Sequence, residues 1–540
     1  MIKKILNGES KNITSAAIII AFASLLSRLL GVLRDRALAG KFGAGDVLDA
    51  YFAAFKIPDL VYNLLVLGAL SAGFIPVFVQ LYQGQKKEKE AWKLANDILN
   101  IMGLGLIFIS GIFILFTPWL MPFIAPGFSG EKREMAIGLS RIMFLSPLLL
   151  GISNIFGGIL QSFKRFFIYS LAPILYNLGI IIGVLFFVDS LGIYGLALGV
   201  VLGALLHMLS QIPASFSLGY RYFWSFDFRS WGIKRIMRMM VPRTLGLAVS
   251  QVNLVLMTVL ASFLASGSLT IFNLANNLVA FPVGIFGVSF AIASFPTLSL
   301  LAEKETKGEF RKNFSNTFRQ ILFFIIPFTV LFIVLRAQIV RVVLGSGNFD
   351  WSDTIITANA LAFFSLSLFA QALLPLLVRA FFAYHDSRTP FYIGLVSVAV
   401  NILLAWPLAN SWGVAGLAMA FSISSIVNLV LLLALLKVKL GAVDGRNISI
   451  SFAKFIIAAV PMGIFVEGIK FFIEPYFGTR TFVGIMIQGS LAGVVGLIVY
   501  GLICLWLNSP EMVVFYNSLK RKLFRQALPA ISDISESEEV

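Results

Sequence analysis

The chain has little with which to do covalent chemistry. Among its 540 residues there is one cysteine and there are two histidines. Cys504, in "GLICLWL", has no partner for an intrachain disulfide and no companions for a thiolate metal site. His207 and His385 lie far apart in sequence, so a histidine-based catalytic set is not expected. "AGKF" at 39–42 sets a glycine beside a lysine but lacks the upstream glycines and the following Ser or Thr of a phosphate loop. The sequence predicts no enzyme, no cofactor and no bound metal, and any energy source must lie elsewhere.

Charge is scarce too. Only 13% of residues are charged, against roughly 25% in soluble domains. No long polar stretch is available for a separate soluble domain. What is present instead is apolar: 59% of residues are hydrophobic and mean hydropathy is +0.91. Apolar runs of about 20 residues, enough to cross roughly 30 Å of hydrocarbon as helix, recur from end to end. The expected fold is an all-α polytopic membrane protein with fourteen spans, near 13–33, 48–82, 94–120, 135–163, 168–188, 192–218, 239–265, 269–300, 315–336, 355–383, 390–409, 413–437, 451–473 and 482–506. "FKIPDL" and "VAFPVG" supply prolines for kinks in the longer runs. The first run lacks a small-residue cleavage site and reads as a retained helix.

With the N-terminus placed in the cytoplasm, that side receives "KKEKEAWK" (86–93), "RYFWSFDFRSWGIKRIMR" (221–238), "KRKLFR" (520–525) and most other basic residues. The opposite side gets few, so both termini are expected inside. The net charge of +16 is then mainly a topology signal, and no nucleic-acid partner is expected because the basic residues are scattered over loops.

Three segments repeat at one period. "GIYGLAL" (192–198) returns as "GVAGLAM" (413–419). The segment beginning at Gly45 and passing Pro76 resembles the one beginning at Gly267 and passing Pro296, and "KRFFIYSLAPILYN" (164–177) echoes "SRTPFYIGLVSVAVN" (387–401). The period holds six spans, an even number, so both copies enter the membrane in the same direction. The expected organisation is a lobe at 1–220, a second at 221–440, two further helices at 441–508, and a cytoplasmic amphipathic segment with an acidic tail at 509–540. In that last segment Met512, Val513, Phe515, Leu519 and Leu523 can form one apolar face.

"SRLLGVLRDRALAGKFGAGDVLDAYF" (27–52) places Arg28, Arg34, Asp35, Arg36, Lys41, Asp46 and Asp49 between runs otherwise suited to lipid. A guanidinium near the bilayer centre costs at least about 2.5 to 3.5 kcal/mol, so Arg28 and Arg34 need water, an acidic partner or an anionic ligand. Six residues apart, they do not share one helix face. Arg34 and Arg36 could instead reach the interface and pair with Asp35, Asp46 or Asp49. A cavity between the lobes is expected, lined by Arg28, Arg34 and Lys56, with Asp35 or Asp49 holding the arginines in place.

The same stretch, with "FKIPDL" and "GALSAGFIPVF" (68–78), resembles the MurJ/MviN lipid II flippase family of the multidrug/oligosaccharidyl-lipid/polysaccharide exporter superfamily. "APGF" (125–128), "SQVNLVLMTVLASFLASGS" (250–268), "FPVGIFGVSFAIASFPTLS" (281–299) and "RAFFAYHDSRTP" (379–390) extend the resemblance over the first twelve spans. It implies a multi-pass protein of the bacterial plasma (inner) membrane that moves an undecaprenyl-diphosphate-linked peptidoglycan precursor from inner to outer leaflet by alternating access. It also implies that 441–508 shapes a groove for the lipid tail, that membrane lipid and cell-wall synthesis proteins are partners, and that the chain works as a monomer. Export of another polyprenyl-diphosphate glycan and a non-transporting cell-wall scaffold are the alternatives. Arg28, Arg34, Asp35 and Asp49 match charged positions of the family signature. Where the family has a basic pair and a Glu, this chain has Tyr62, Asn63 and Leu67; where it has Asp-Arg, this chain has Asn276 and Asn277. Arg243, in "VPRTLG", either compensates for the missing arginines or anchors a helix end. The candidate substrate-binding set is therefore Arg28, Arg34, Asp35, Asp49, Lys56, Asn63, Arg243 and Asn277.

Overall fold

The computed structural model describes residues 13–67, 73–477 and 481–523, and every regular element among them is helical. The first helices are α1 (Ile13–Phe42), α2 (Asp46–Ala54), α3 (Lys56–Val61) and α4 (Ile75–Val79). Long helices follow: α5 (Glu88–Ile124), α6 (Gly130–Ser162), α7 (Phe166–Leu191), α8 (Tyr194–Ser217), α9 (Trp231–Ser262), α10 (Ser268–Glu303) and α11 (Lys307–Val334). Next come α12 (Arg336–Val343), α13 (Trp351–Ser365), α14 (Leu368–Ala383), α15 (Arg388–Trp412), α16 (Val414–Leu440), α17 (Gly445–Phe477), α18 (Phe482–Trp506) and α19 (Pro510–Leu523).

Fourteen spans were expected. Among the described residues ten helices are long and apolar enough to cross a membrane, and the pair α13 and α14 brings the number to eleven if it counts as one broken span. The other three expected spans fall on elements that include positions outside the described set. The first coincides with α1, whose side chains before residue 19 lie outside the described set. The second is divided among α2, α3, α4 and wide π turns at Tyr62–Leu67 and Gln80–Gly84, which open the helical hydrogen-bond ladder. The seventh falls on α9, where several side chains between 241 and 250 lie outside the described set.

The internal repeat has a geometric counterpart. Gly192 ends α7 at φ +59° and Gly413 ends α15 at φ +58°, a left-handed conformation that glycine adopts without a Cβ penalty. In each copy a second glycine follows three residues on, and its N–H donates to the first glycine's carbonyl at 3.0 Å. Those second glycines also correspond: a Cβ on Gly195 would collide with the backbone at Phe187 and Val188, and one on Gly416 with the backbone at Leu408 and Ala409. Both crossings thus use the same close helix approach.

Contacts divide the chain into two compact units. The first comprises residues 1–281, 336–367 and 385–432. Its core gathers Val61, Val66, Phe74, Phe78, Leu94, Ile98, Phe144, Phe156, Tyr220 and Ile236 from α3 through α9. The second comprises 282–335, 368–384 and 433–540. There the Phe323 ring meets those of Phe455, Tyr500 and Phe515, so α11, α17, α18 and α19 share a core. Helix α19 forms where the amphipathic segment was expected, and Arg319 of α11 pairs with its buried Glu511 at 2.7 Å. Leu519 and Leu523 have side chains outside the described set, and the acidic tail beyond 523 lies outside the described residues.

Candidate functional site

The charged stretch of α1 is satisfied from within the first unit. Arg34 chelates its neighbour Asp35, with Nε and Nη2 at 3.0 and 2.8 Å from Oδ1, and its Nη1 donates to Asn177 Oδ1 of α7 at 3.2 Å. Asp35 is only 5% exposed. Its second oxygen accepts from Asn277 Nδ2 of α10 at 3.0 Å. One buried carboxylate therefore joins a basic group on α1 to a neutral amide on α10, and the fork geometry of arginine makes the pairing with Oδ1 two-pronged. Arg36 goes elsewhere: its guanidinium donates to the carbonyls of Val342, Val343 and Gly345, at and just beyond the C-terminal end of α12.

Helix α10 meets these charges along one stripe. Thr270, Asn273, Asn277 and Ala280 recur at helical spacing and face Asp49, Lys56, Asp35 and Arg28 in turn. Lys56 Nζ donates to Asn273 Oδ1 at 3.2 Å. Arg28 makes a single long contact, 3.4 Å to Ala280 O. Both side chains are half-buried and held only by neutral acceptors. Arg28 and Arg34 lie on different faces of α1, as their spacing requires.

Asp49 occupies the end of the stripe. It is 2% exposed and accepts from the backbone N–H groups of Gly267 and Thr270, both at 2.8 Å, from Thr270 Oγ1 at 2.7 Å and from Lys132 Nζ at 2.7 Å. A carboxylate at the first turn of α10 satisfies donors that the helix leaves open and suits the positive end of its dipole. Asp49 therefore holds no arginine; it ties α2 to the start of α10. The neighbouring contacts reinforce this joint. Asp46 accepts from Ser266 and pairs with Lys132, both at 2.7 Å, Ala44 N–H donates to Asp353 at 2.9 Å, and Asn348 N–H to Gly40 O at 2.8 Å. Bonds to Lys132 and Ser266 hold the Asp46 carboxyl below the usual carboxylate range.

Asn63 turns back on its own helix and donates to Asp59 O at 2.8 Å, so it does not join the stripe. The side chains of Arg243 and Leu67 lie outside the described set. Sequence reasoning missed the amides Asn177 and Asn273, and it missed Asp59, an exposed carboxylate near enough to Lys56 and Arg34 to feel both charges. "FKIPDL" contains that signal, since Asp59 follows Lys56 by three residues on one helix face. No group of three metal-ligating side chains occurs among the described residues.

The sequence matches the family described as lipid II flippase MurJ over residues 38–488. It is 32% identical over 425 residues to a probable lipid II flippase MurJ of Buchnera aphidicola subsp. Acyrthosiphon pisum, covering 78% of this chain and 83% of that one. The identity to the lipid II flippase MurJ of Burkholderia cenocepacia is 26% over 434 residues, again covering 78% and 83%. A solved lipid II flippase MurJ in an inward closed conformation superimposes with a TM-score of 0.74 at 26% identity, covering 93% of this chain and 100% of that one. An inward-facing multidrug transporter of the MATE family shares the fold, with a TM-score of 0.68 at 15% identity over 80% of this chain and 99% of that one.

Proposed function

The chain belongs to the lipid II flippase MurJ family, and from that premise we propose that it carries the undecaprenyl-diphosphate-linked peptidoglycan precursor from the inner to the outer leaflet of the bacterial plasma membrane. The observation that carries this reading is the stripe on α10, which meets two cations held only by neutral acceptors, Lys56 and Arg28, and a third, Arg34, shared with Asp35. A diphosphate can take Arg28 and Lys56 at the expense of weak contacts, and can compete with Asp35 for the guanidinium of Arg34. Asn277 stays hydrogen-bonded to Asp35 and keeps that carboxylate from losing both partners at once. Arg243 completes the binding set in this reading, and Asn63, turned onto its own helix, stands outside it.

Alternating access then needs the Asp49 joint to part. Residues 1–220 and 221–440 act as the two rocking lobes, and 441–508 holds the lipid tail. The joint sits between lobe-one residues (Asp46, Asp49, Lys132) and lobe-two residues (Ser266, Gly267, Thr270), as a gate at the exit side requires. The protein works as a monomer with both termini cytoplasmic, alongside the enzymes of cell-wall synthesis.

The test is complementation of a strain depleted of its own lipid II flippase. Restored growth together with restored precursor on the outer leaflet is the expected result. Growth restored without outward movement of the precursor would indicate a scaffold, and neither restored would indicate a different glycan cargo.

A further inference from the structure

Residues 218–230, between α8 and α9, form neither helix nor strand, yet one face of α5 holds their backbone in place. Asn96 Nδ2 donates to Arg221 O at 3.1 Å, and Asn96 Oδ1 accepts from Tyr220 Oη at 2.8 Å and Phe223 N–H at 3.4 Å. Asn100 Nδ2 donates to Ser225 O at 2.8 Å and its Oδ1 accepts from Tyr222 Oη at 3.2 Å. Asp97 Oδ1 accepts from Ser225 Oγ at 2.5 Å and Asp227 N–H at 3.2 Å. All three side chains on α5 are buried, and Lys93 clamps Asp227 from outside at 3.1 Å. Satisfied buried polar groups of this kind fix a single conformation.

The pinned strap turns its rings outward. Tyr222, Phe223, Trp224, Phe226 and Phe228 are all exposed, Trp224 at 68%, and Trp231 follows at 51%. So many exposed rings in one short segment mark an interaction surface rather than a solvated loop. Beside the strap is a cavity of about 300 Å³ lined by Lys89, Trp92, Gly219, Arg221 and Phe223. It contains two cations and no carboxylate. Of the nearby acids Glu90 pairs with Lys87 at 3.1 Å and Asp227 with Lys93, Glu88 lies outside the cavity lining, and neither Lys89 nor Arg221 forms an ion pair among the described residues.

Depth identifies the occupant. Helix α5 has 37 residues, about 55 Å at 1.5 Å per residue, longer than a bilayer of about 40–45 Å with its headgroups. Its first turns, which carry Lys89 and Trp92, therefore stand in or beyond the headgroup layer. Aromatic rings with cations are the composition that settles there.

We propose that the strap and the Lys89–Arg221 cavity form a binding site for the headgroup phosphate of an anionic phospholipid, with the strap's rings seated at the acyl-chain boundary. Lys89 and Arg221 supply charge-assisted hydrogen bonds to the phosphate oxygens, and Trp92 and Phe223 cover the glycerol side. Asn96 and Asn100 act as positioning residues that hold Arg221 and Phe223 over the cavity. The site is independent of the transported cargo.

The experiment uses the full chain in detergent, with phosphatidylglycerol and phosphatidylcholine of the same acyl chains titrated and bound lipid counted by native mass spectrometry. The wild type is expected to prefer phosphatidylglycerol at least tenfold. Lys89→Gln with Arg221→Gln should remove that preference while binding of phosphatidylcholine stays constant, and Asn96→Ala, which keeps both cations, should weaken phosphatidylglycerol several-fold. Equal affinity of the wild type for the two lipids overturns the proposal without recourse to any variant. An undiminished preference in the double variant also overturns it and leaves the rings to a protein partner. Displacement of the lipid by millimolar inorganic phosphate would make a free anion the ligand, and would overturn it as well.

Discussion

Arg34 and Asp35 are neighbours on one helix, and the structural and transport roles of the pair can be separated. Arg34→Ala leaves Asp35 buried with only the neutral Asn277 amide, and an uncompensated buried charge of this kind costs about 3 to 5 kcal/mol. The variant should therefore melt at a lower temperature and fail to transport. Removing the carboxylate as well, in Arg34→Ala with Asp35→Ala, should recover most of the thermal stability and none of the transport, because the cation that competes for the diphosphate is still missing. Recovery of both in the double variant would make the pair purely structural. The pairing of Arg34 with Asp35 is local and was legible in the sequence. Its amide partners were not. Asn177 and Asn277 come from 143 and 242 residues away in sequence from the groups they bond, and a neutral amide in an apolar run carries no sign of which charge it will face. Asp59 was visible three residues after Lys56, but the prolines beside it suggested only a kink.

At the scale of elements, hydropathy located the long helices well, since a backbone in lipid can satisfy its own polar groups only as helix. It read 48–82 as one kinked span, where prolines and π turns divide the described part of the run into short pieces that pack against α6 and α9. The segment 220–230 was legible only as a basic loop, because the Asn96, Asp97 and Asn100 ladder that pins it lies on a different helix. Asp49 raises the same issue: its charge was readable, but its four donors on α10 and Lys132 were not. Those donors make the joint testable. Asp49→Asn replaces a full acceptor with a group that must aim an N–H₂ at other donors, so the closed arrangement of α2 and α10 should lose several kcal/mol relative to an open one. The native Cys504 is buried, so a cysteine at Ser268, itself buried in the closed joint, would report its opening. Its modification by a membrane-impermeant maleimide should rise at least fivefold in Asp49→Asn over the Ser268→Cys parent. Unchanged labelling would mean that the joint does not depend on this carboxylate.

At the scale of the whole molecule the question is what drives the cargo outward. A diphosphate moving away from an inside-negative potential gains about 2.3 kcal/mol per charge per 100 mV, so the loaded carrier needs no ion of its own if its net charge stays negative. The charge count along the α10 stripe favours that condition. Asn277 stands where the family resemblance leads one to expect arginine and bonds to Asp35 as a neutral donor, Asn63 is turned into its own helix, and Asp59 adds a carboxylate near Lys56. Arg28, Arg34 and Lys56 therefore stand along the stripe with Asp35 and Asp59 near them, and in the proposed binding set the loaded site is more negative than one carrying the missing arginines. Collapsing the potential at constant pH and sodium should stop transport. Asn63→Arg with Asn277→Arg should be tolerated and should flatten the voltage dependence, because Asn277→Arg places a cation against Asp35 and frees Arg34 for the ligand. The measurement is outer-leaflet precursor in vesicles clamped at a series of potassium diffusion potentials. Transport that survives without a potential, and is lost when sodium or the proton gradient is removed, would shift the driving force to a coupled cation, and the exposed carboxylate of Asp59 would then be the first residue to replace.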